Sequence, residues 1–271
     1  WPRLRARIRR PDAPETFRML KHAVIALAAL AAASSGAFAA NLTIYGPGGP
    51  LPAMKEAAAA FGKMKGIEVT VTAGPTSKWI EKARQDADLI YSGSEAMMSD
   101  FVAAMDGQIL SPEVEPLYLR ASAILVRPGN PKKITGLADL MKPGMKVLVV
   151  HGAGQTGLWE DVAGRTGKIE EVRALRANIG AFAGNSALAK QKWTEDQSFD
   201  AWLIWNIWQV SNPALADTVE MDAAHRIYRD TGIVQTARGK EKPNAAAFIA
   251  FLKSAEGARI FQKWGWMTPG S

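Results

Sequence analysis

The chain has 271 residues, 33 Lys/Arg against 26 Asp/Glu, a formal charge of +7 and no cysteine. Lack of cysteine excludes disulfides, thiolate metal sites, cysteine nucleophiles and a lipidated lipobox cysteine. The positive excess would suit a nucleic-acid partner, but seven of the basic residues (Arg3, Arg5, Arg7, Arg9, Arg10, Arg18, Lys21) precede Ala40, against Asp12 and Glu15 only. Beyond them 33 less 7 leaves 26 basic residues and 26 less 2 leaves 24 acidic, with no basic stripe interleaved with aromatics, so no nucleic-acid partner is expected.

Residues 1–18 are Arg-rich, lack a starting Met and precede Met19, which is expected to mark them as upstream sequence. Met19–Ala39 reads as a secretory signal peptide: Lys21 and His22 open it, Ala23–Ala33 is unbroken apolar sequence, and Ala37-Phe38-Ala39 offers small residues for cleavage. That apolar run is about half of the roughly 20 residues a membrane span needs. An export signal is therefore expected, with no membrane anchor after cleavage and a mature periplasmic protein beginning near Ala40. The roughly 230 residues that follow suit one large or two small domains.

Strand and helix patterns then alternate. Leu42–Tyr45 reads as a strand, Leu51–Met64 as a helix, Ile67–Ala73 as a strand, Lys78–Gln85 as a helix, Asp88–Tyr91 as a strand and Glu95–Met105 as a helix. Strands leading into helices point to a parallel α/β sheet. Leu119–Arg127 is a longer strand closed by Pro128-Gly129-Asn130-Pro131, suggesting a crossover into a second lobe. A second series follows, with helices at Gly136–Met141, from about Gly157 and at Glu170–Phe182, and strands at Lys146–His151 and near Ala201–Trp208. Arg226–Thr236 reads as a strand crossing back, and Asn244–Leu252 and Ala255–Trp264 as helices, the latter capped by Ser254. The expected division is 40–124 with 237–271 in one lobe and 125–236 in the other.

Three strand ends share one chemistry. Tyr45-Gly46-Pro47-Gly48-Gly49-Pro50 and Gly152-Ala153-Gly154-Gln155-Thr156-Gly157 are glycine-rich turns, each opening a helix, and Ser92-Gly93-Ser94-Glu95 adds two hydroxyls at a third helix start. Helix N-termini expose N–H groups with no intrahelical partner and carry a positive dipole end, which favours anions. The dinucleotide fingerprint is absent, because Leu51 stands where a third small residue is needed and no acid follows Ala73-Gly74. In open α/β sheets such loops gather at the carboxyl ends of the strands, where ligands bind.

Other residues could complete the site. Arg120, in an otherwise apolar strand, needs either a ligand oxyanion or a structural carboxylate. Ser94 and Asn185-Ser186 read as helix caps or as ligand contacts. Trp79 and Trp205-Asn206 are either packing residues or cleft walls. Glu160-Asp161 reads as a solvated helix face. No His-Glu-x-x-His, Gly-x-Ser-x-Gly or phosphate-loop motif occurs, and beyond the signal only His151 and His225 are histidines. No catalytic residue, metal site or cofactor is therefore nominated, and a phosphatase or sulfatase reading lacks an activated nucleophile or a metal.

Segments Leu42–Pro50, Val69–Trp79, Ala87–Gly93, Pro116–Pro131, Gly152–Thr166 and Phe248–Trp266, above all Tyr-Gly-Pro-Gly-Gly-Pro and Gly-x-x-Gly-Leu-Trp-Glu-Asp-x-x-Gly-Arg-Thr, resemble the accessory colonization factor AcfC family. That family is similar to the molybdate- and sulfate-binding type II periplasmic binding proteins. The resemblance implies an α/β, two-lobed fold with a central cleft that closes on a small anion such as sulfate, phosphate, a phosphorylated acid or a carboxylate. It also implies a membrane permease of the ABC type as partner, or a sensing role, and homodimers; a surface adhesin with a vestigial cleft is the rival reading. Carried over by motif, the implied ligand contacts are Gly48, Gly49, Ser77, Ser94, Arg120, Gln155, Thr156, Gly157, Asn185 and Ser186. Some relatives have a longer Ser/Thr-rich loop where this chain has only Gln155, which favours a compact oxyanion.

Overall fold

The computed structural model describes residues 40–269. The expected signal peptide and upstream segment lie outside the described residues. Chain order begins β1 (Leu42–Gly46), α1 (Leu51–Lys65), β2 (Val69–Ala73), α2 (Ile80–Asp86), β3 (Leu89–Tyr91), α3 (Glu95–Ala104) and the long β4 (Glu115–Val126). It continues with α4 (Leu137–Leu140), β5 (Val147–Val150), α5 (Leu158–Ala163), α6 (Ile169–Asn178), β6 (Ile179–Ala183), α7 (Ser186–Glu195), β7 (Ala201–Trp205), α8 (Ile207–Ser211) and β8 (Asp217–Glu220). Closing the chain are β9 (Tyr228–Gln235), α9 (Ala237–Lys240), α10 (Pro243–Leu252) and α11 (Ala255–Lys263).

α1 shows how the local rules operate. Pro50 and Pro52 pre-set the helical φ at its start, and Ala53, Met54, Ala57, Ala58 and Phe61 form one apolar stripe that is buried. Gly66, at φ 66°, ends the helix in the left-handed conformation that glycine adopts without a Cβ penalty. The stripe packs under Phe248 and Phe251 of α10, whose rings lie 5.2 and 5.6 Å from that of Phe61. Replacing Phe61 with Ala would cost about 3–5 kcal/mol.

The strands pair in the order β2-β1-β3-β9-β4-β7-β5-β6, with β8 also on β4. β1 runs parallel to β2 and β3, and β5 parallel to β6 and β7. β4 and β9 join these two halves. β4 pairs antiparallel with β9 over Glu115–Ala121, then with β7 over Ser122–Val126 and with β8 over Ala123–Val126. The central β5 and β7, Val-Leu-Val-Val and Ala-Trp-Leu-Ile-Trp, are buried throughout, as strands covered on both faces must be. A buried carboxylate ties the chain's end to its beginning: Asp88 accepts from the Thr43 N–H at 2.9 Å, from Arg238 at 3.1 Å and from Lys242 at 2.7 Å.

Two expected elements differ. The helix expected over Glu170–Phe182 stops at Asn178, whose side-chain amide donates to the carbonyls of Leu140 and Lys142, and Ile179–Ala183 becomes β6. Gly180 makes room for this strand, since a Cβ there would lie 2.7 Å from Lys146 Cγ. The strand expected over Ala201–Trp208 ends at Trp205, where Asn206 turns the chain into α8 while its Oδ1 accepts from the Ala121 N–H and its Nδ2 donates to the Gly265 carbonyl.

Candidate functional site

The loops after β1, β2, β3, β5 and β6 converge on a cavity of about 80 Å³. This is several times the roughly 10–15 Å³ that one water needs. One half of the sheet contributes Pro47–Pro50, Gly74–Thr76, Gly93, Met97 and Arg120; the other contributes Ala153, Gln155, Asn185–Ala187 and Trp208.

Arg120 is the charged residue of this lining, and it is 3 % exposed. The guanidinium lies between two glycines: a Cβ on Gly49 would come within 3.0 Å of its Nη1, and one on Gly93 within 3.1 Å of its Nη2. A side chain at either position would force the guanidinium to give way by a few tenths of an ångström. Nη2 donates to the Gly93 carbonyl, whereas the buried Nε has no partner among the described residues. The planar group stacks over Trp205, 4.6 Å from its ring centre, with Trp266 at 5.6 Å. Burial pushes Arg120 down to about 9, the field of Asp230 opposing that fall and Arg229 adding to it, so the group stays charged at neutral pH. Among the described residues it forms no ion pair within 4 Å, although a buried cation ordinarily requires one.

Polar groups from the second half complete the lining. Gln155 is buried, its Nε2 donating to Ser186 Oγ at 2.6 Å while Oε1 has no partner among the described residues. Asn185 caps α7, its Oδ1 accepting the Leu188 N–H at 2.9 Å, and the N–H groups of Ser186 and Ala187 ahead of it have no intrahelical acceptor. Ser94 caps α3, accepting from the Met97 N–H at 3.2 Å, and its hydroxyl donates to the Gly154 carbonyl at 3.2 Å, a contact between the two halves.

Of the residues singled out in the sequence, Gly48, Gly49, Arg120, Gln155, Asn185 and Ser186 come together around this cavity. Ser94 stands one residue behind it as cap and bridge. Thr156 is exposed and Gly157, at φ 82°, precedes α5; neither lines the cavity. Ser77 is exposed in a short turn where its neighbour Thr76 faces the lining instead. Trp79 is a packing residue, buried against Tyr45 and Phe101 with its Nε1 donating to the Gly74 carbonyl. Trp205 is fully buried beneath Arg120, and Trp208, three residues on and past the strand's end, lines the cavity. Sequence reasoning missed Thr76, Met97 and Trp208; the Pro75-Thr76-Ser77 hydroxyl pair after β2 was the available signal for the first.

The histidines lie elsewhere. His151 is exposed and packs edge-on against Phe182, while His225 bridges Asp222 at 2.5 Å and Glu171 at 2.8 Å. Asp161 of the expected solvated face is half-exposed and pairs with Arg229 at 2.6 Å.

The fold matches solved structures. PEB3 of Campylobacter jejuni, solved with L-phospholactate, shares 35 % identity over 83 % of this chain and 99 % of that one, with a TM-score of 0.79. The sulfate-binding protein SubI of Mycobacterium tuberculosis superposes at a TM-score of 0.69 with 18 % identity, covering 83 % of this chain and 86 % of its own. The periplasmic molybdate-binding protein of Azotobacter vinelandii does so at 0.63 with 17 % identity, covering 84 % and 99 %. At that identity the last two speak to the fold, which is that of two-lobed, type II periplasmic binding proteins. No curated protein matches the sequence. A family model described as bacterial extracellular solute-binding protein matches residues 42–267. With its α/β halves, its interlobe cleft and this match, the chain belongs to the family of bacterial extracellular solute-binding proteins, which are binding proteins rather than enzymes.

Proposed function

We propose that this protein captures a small oxyanion or anionic metabolite in the cleft between its lobes and delivers it to an ABC-type permease or to a sensing partner. The candidates are sulfate, phosphate, a phosphorylated acid or a carboxylate. The lobes of this reading comprise residues 40–124 with 237–271, and residues 125–236. We further propose export to the periplasm by the Met19–Ala39 signal and a place in the AcfC branch of the family.

Arg120 carries this reading. A guanidinium that is 3 % exposed and, among the described residues, forms no ion pair and keeps Nε unpaired beside a cavity is stabilised most directly by an anion in that cavity. The start of α7 adds N–H donors from the facing lobe. L-phospholactate in PEB3 supports an anionic ligand by kinship.

Thermal shift with a panel of anions tests the proposal, because a ligand that binds only the folded state raises stability by RT ln(1 + [L]/Kd). At least one oxyanion or organic anion is expected to raise the melting temperature of the wild type and not of Arg120→Gln. A panel in which no anion shifts the wild type would overturn the proposal and favour an adhesin with a vestigial cleft.

A further inference from the structure

We infer that Tyr91 is a positioning residue of this site: its buried hydroxyl holds the turn after β1 where Gly49 and Gly93 flank the Arg120 guanidinium. This role rests on the proposed capture of an anion by Arg120 and concerns what sets that guanidinium in place. Tyr91 ends β3 and is fully buried. Its hydroxyl donates to the Pro47 carbonyl at 3.0 Å, two residues before Gly49. Its own main chain leads, two residues on, to Gly93, whose carbonyl accepts from Arg120 Nη2. One side chain and its backbone thus link the two glycines whose Cβ positions lie 3.0 and 3.1 Å from the guanidinium nitrogens.

The ring reaches Pro47 across Gly46. β1 and β3 pair in parallel with Tyr45 beside Ile90, which brings Gly46 alongside Tyr91. A Cβ on Gly46 would lie 2.6 Å from Cε1, Cε2 and Cζ of the ring, so the hydroxyl end of Tyr91 lies directly against this backbone. The Gly46 carbonyl in turn accepts from the Gly74 N–H at 3.2 Å, which ties in the turn after β2 that lines the same cavity. Pro47 and Pro50 fix φ within their turn but bring no N–H to tether it, and the Tyr91 hydroxyl supplies a tether from the side. Burial pushes that hydroxyl well above the ordinary tyrosine range, so it stays protonated and donates. Groups that hold a ligand keep their geometry when the side chains behind them are locked by packing and hydrogen bonds.

Tyr91→Phe removes the hydroxyl and keeps the ring. Tyr45→Phe is the control, since it also loses a tyrosine hydrogen bond, to Asp86 at 2.7 Å, but between two residues outside the cavity lining. Calorimetric titrations use L-phospholactate, inorganic phosphate, sulfate and acetate. Whichever of these the wild type binds most tightly, Tyr91→Phe is expected to bind about three- to tenfold more weakly, and Tyr45→Phe within about twofold of the wild type. Nitrogen-15 NMR of the anion-free protein gives a readout that lost stability alone would not move. The Arg120 Nε–H signal, identified by its absence from Arg120→Gln, is expected to shift or broaden in Tyr91→Phe and to keep its place in Tyr45→Phe. Unchanged affinity in Tyr91→Phe would overturn the inference and leave anion capture intact. So would equal weakening in the two variants, or weakening with the Arg120 signal unmoved. A wild type that binds none of the four anions would instead remove the anion reading, and this role of Tyr91 with it.

Discussion

Ser94 and Gly154 meet across the cleft, the serine hydroxyl of one half donating to the glycine carbonyl of the other at 3.2 Å. The contact is close because Gly154 has no side chain: a Cβ there would lie 2.6 Å from Met97 Cβ and 2.9 Å from Ser94 Oγ. Its φ of 73° is moreover a conformation that other residues adopt at a cost of about 1–2 kcal/mol. The start of α3 therefore packs on the glycine turn after β5 only in the presence of this glycine.

Gly154→Ala is expected to hold the lobes apart at this point while each lobe keeps its core. Ligand affinity should fall by about tenfold or more, since the strain must be met on every closure. Small-angle scattering with and without ligand checks the cause, the variant showing less ligand-induced compaction than the wild type. Equal compaction and equal affinity would remove this glycine from the closing contact.

Trp208 is expected to report ligand binding by fluorescence. It lines the cavity, whereas Trp79 and Trp205 are 3 % and 0 % exposed in packed surroundings. Trp208→Phe should lose most of the ligand-dependent change, and Trp79→Phe should retain it. The reverse pattern would show that closure is sensed in the cores rather than in the cleft.

Much of this arrangement was legible in the sequence because its signals are local. Glycine-rich turns at helix starts, the caps at Ser94, Asn185 and Ser254, and the charge of Arg120 in an apolar strand each follow from a few neighbouring residues. What stayed hidden depends on distant contacts. Ile179–Ala183 continues the apolar pattern of α6 without a break, and only pairing with β5 makes it a strand. Which residue of Gly152-Ala153-Gly154-Gln155-Thr156-Gly157 turns inward depends on positive φ at Ala153, Gly154 and Gly157, and the outcome buries Gln155 and exposes Thr156. Trp208 reaches the cavity because Asn206 ends β7 by bonding to Ala121 and Gly265, two partners no local pattern reveals.

A pH dependence follows from the bridge at His225. Burial opposes its charge, but hydrogen bonds to Glu171 and Asp222 outweigh this and raise it above its ordinary 6.5. Glu171 in turn is held down to about 2, first by His225 and then by Thr166. A raised histidine contributes stability that is complete below 6.5 and lost as pH rises through the raised value; a depressed carboxylate contributes above its ordinary value and loses this as pH falls through about 2. The wild type should therefore lose melting temperature on going from mildly acidic to mildly alkaline pH more steeply than His225→Gln. Parallel curves for the two proteins would deny the bridge any part in stability.

The central claim is that Arg120 holds an anion in the cleft, and isothermal calorimetry on Arg120→Gln tests it most directly, using the anion that gives the largest thermal shift. Charge-assisted hydrogen bonds contribute about 1.5–3 kcal/mol each, so the loss should weaken binding roughly ten- to a hundredfold in a variant whose circular dichroism matches the wild type. A folded Arg120→Gln that binds the anion as tightly as the wild type would contradict the account and move the site away from this guanidinium.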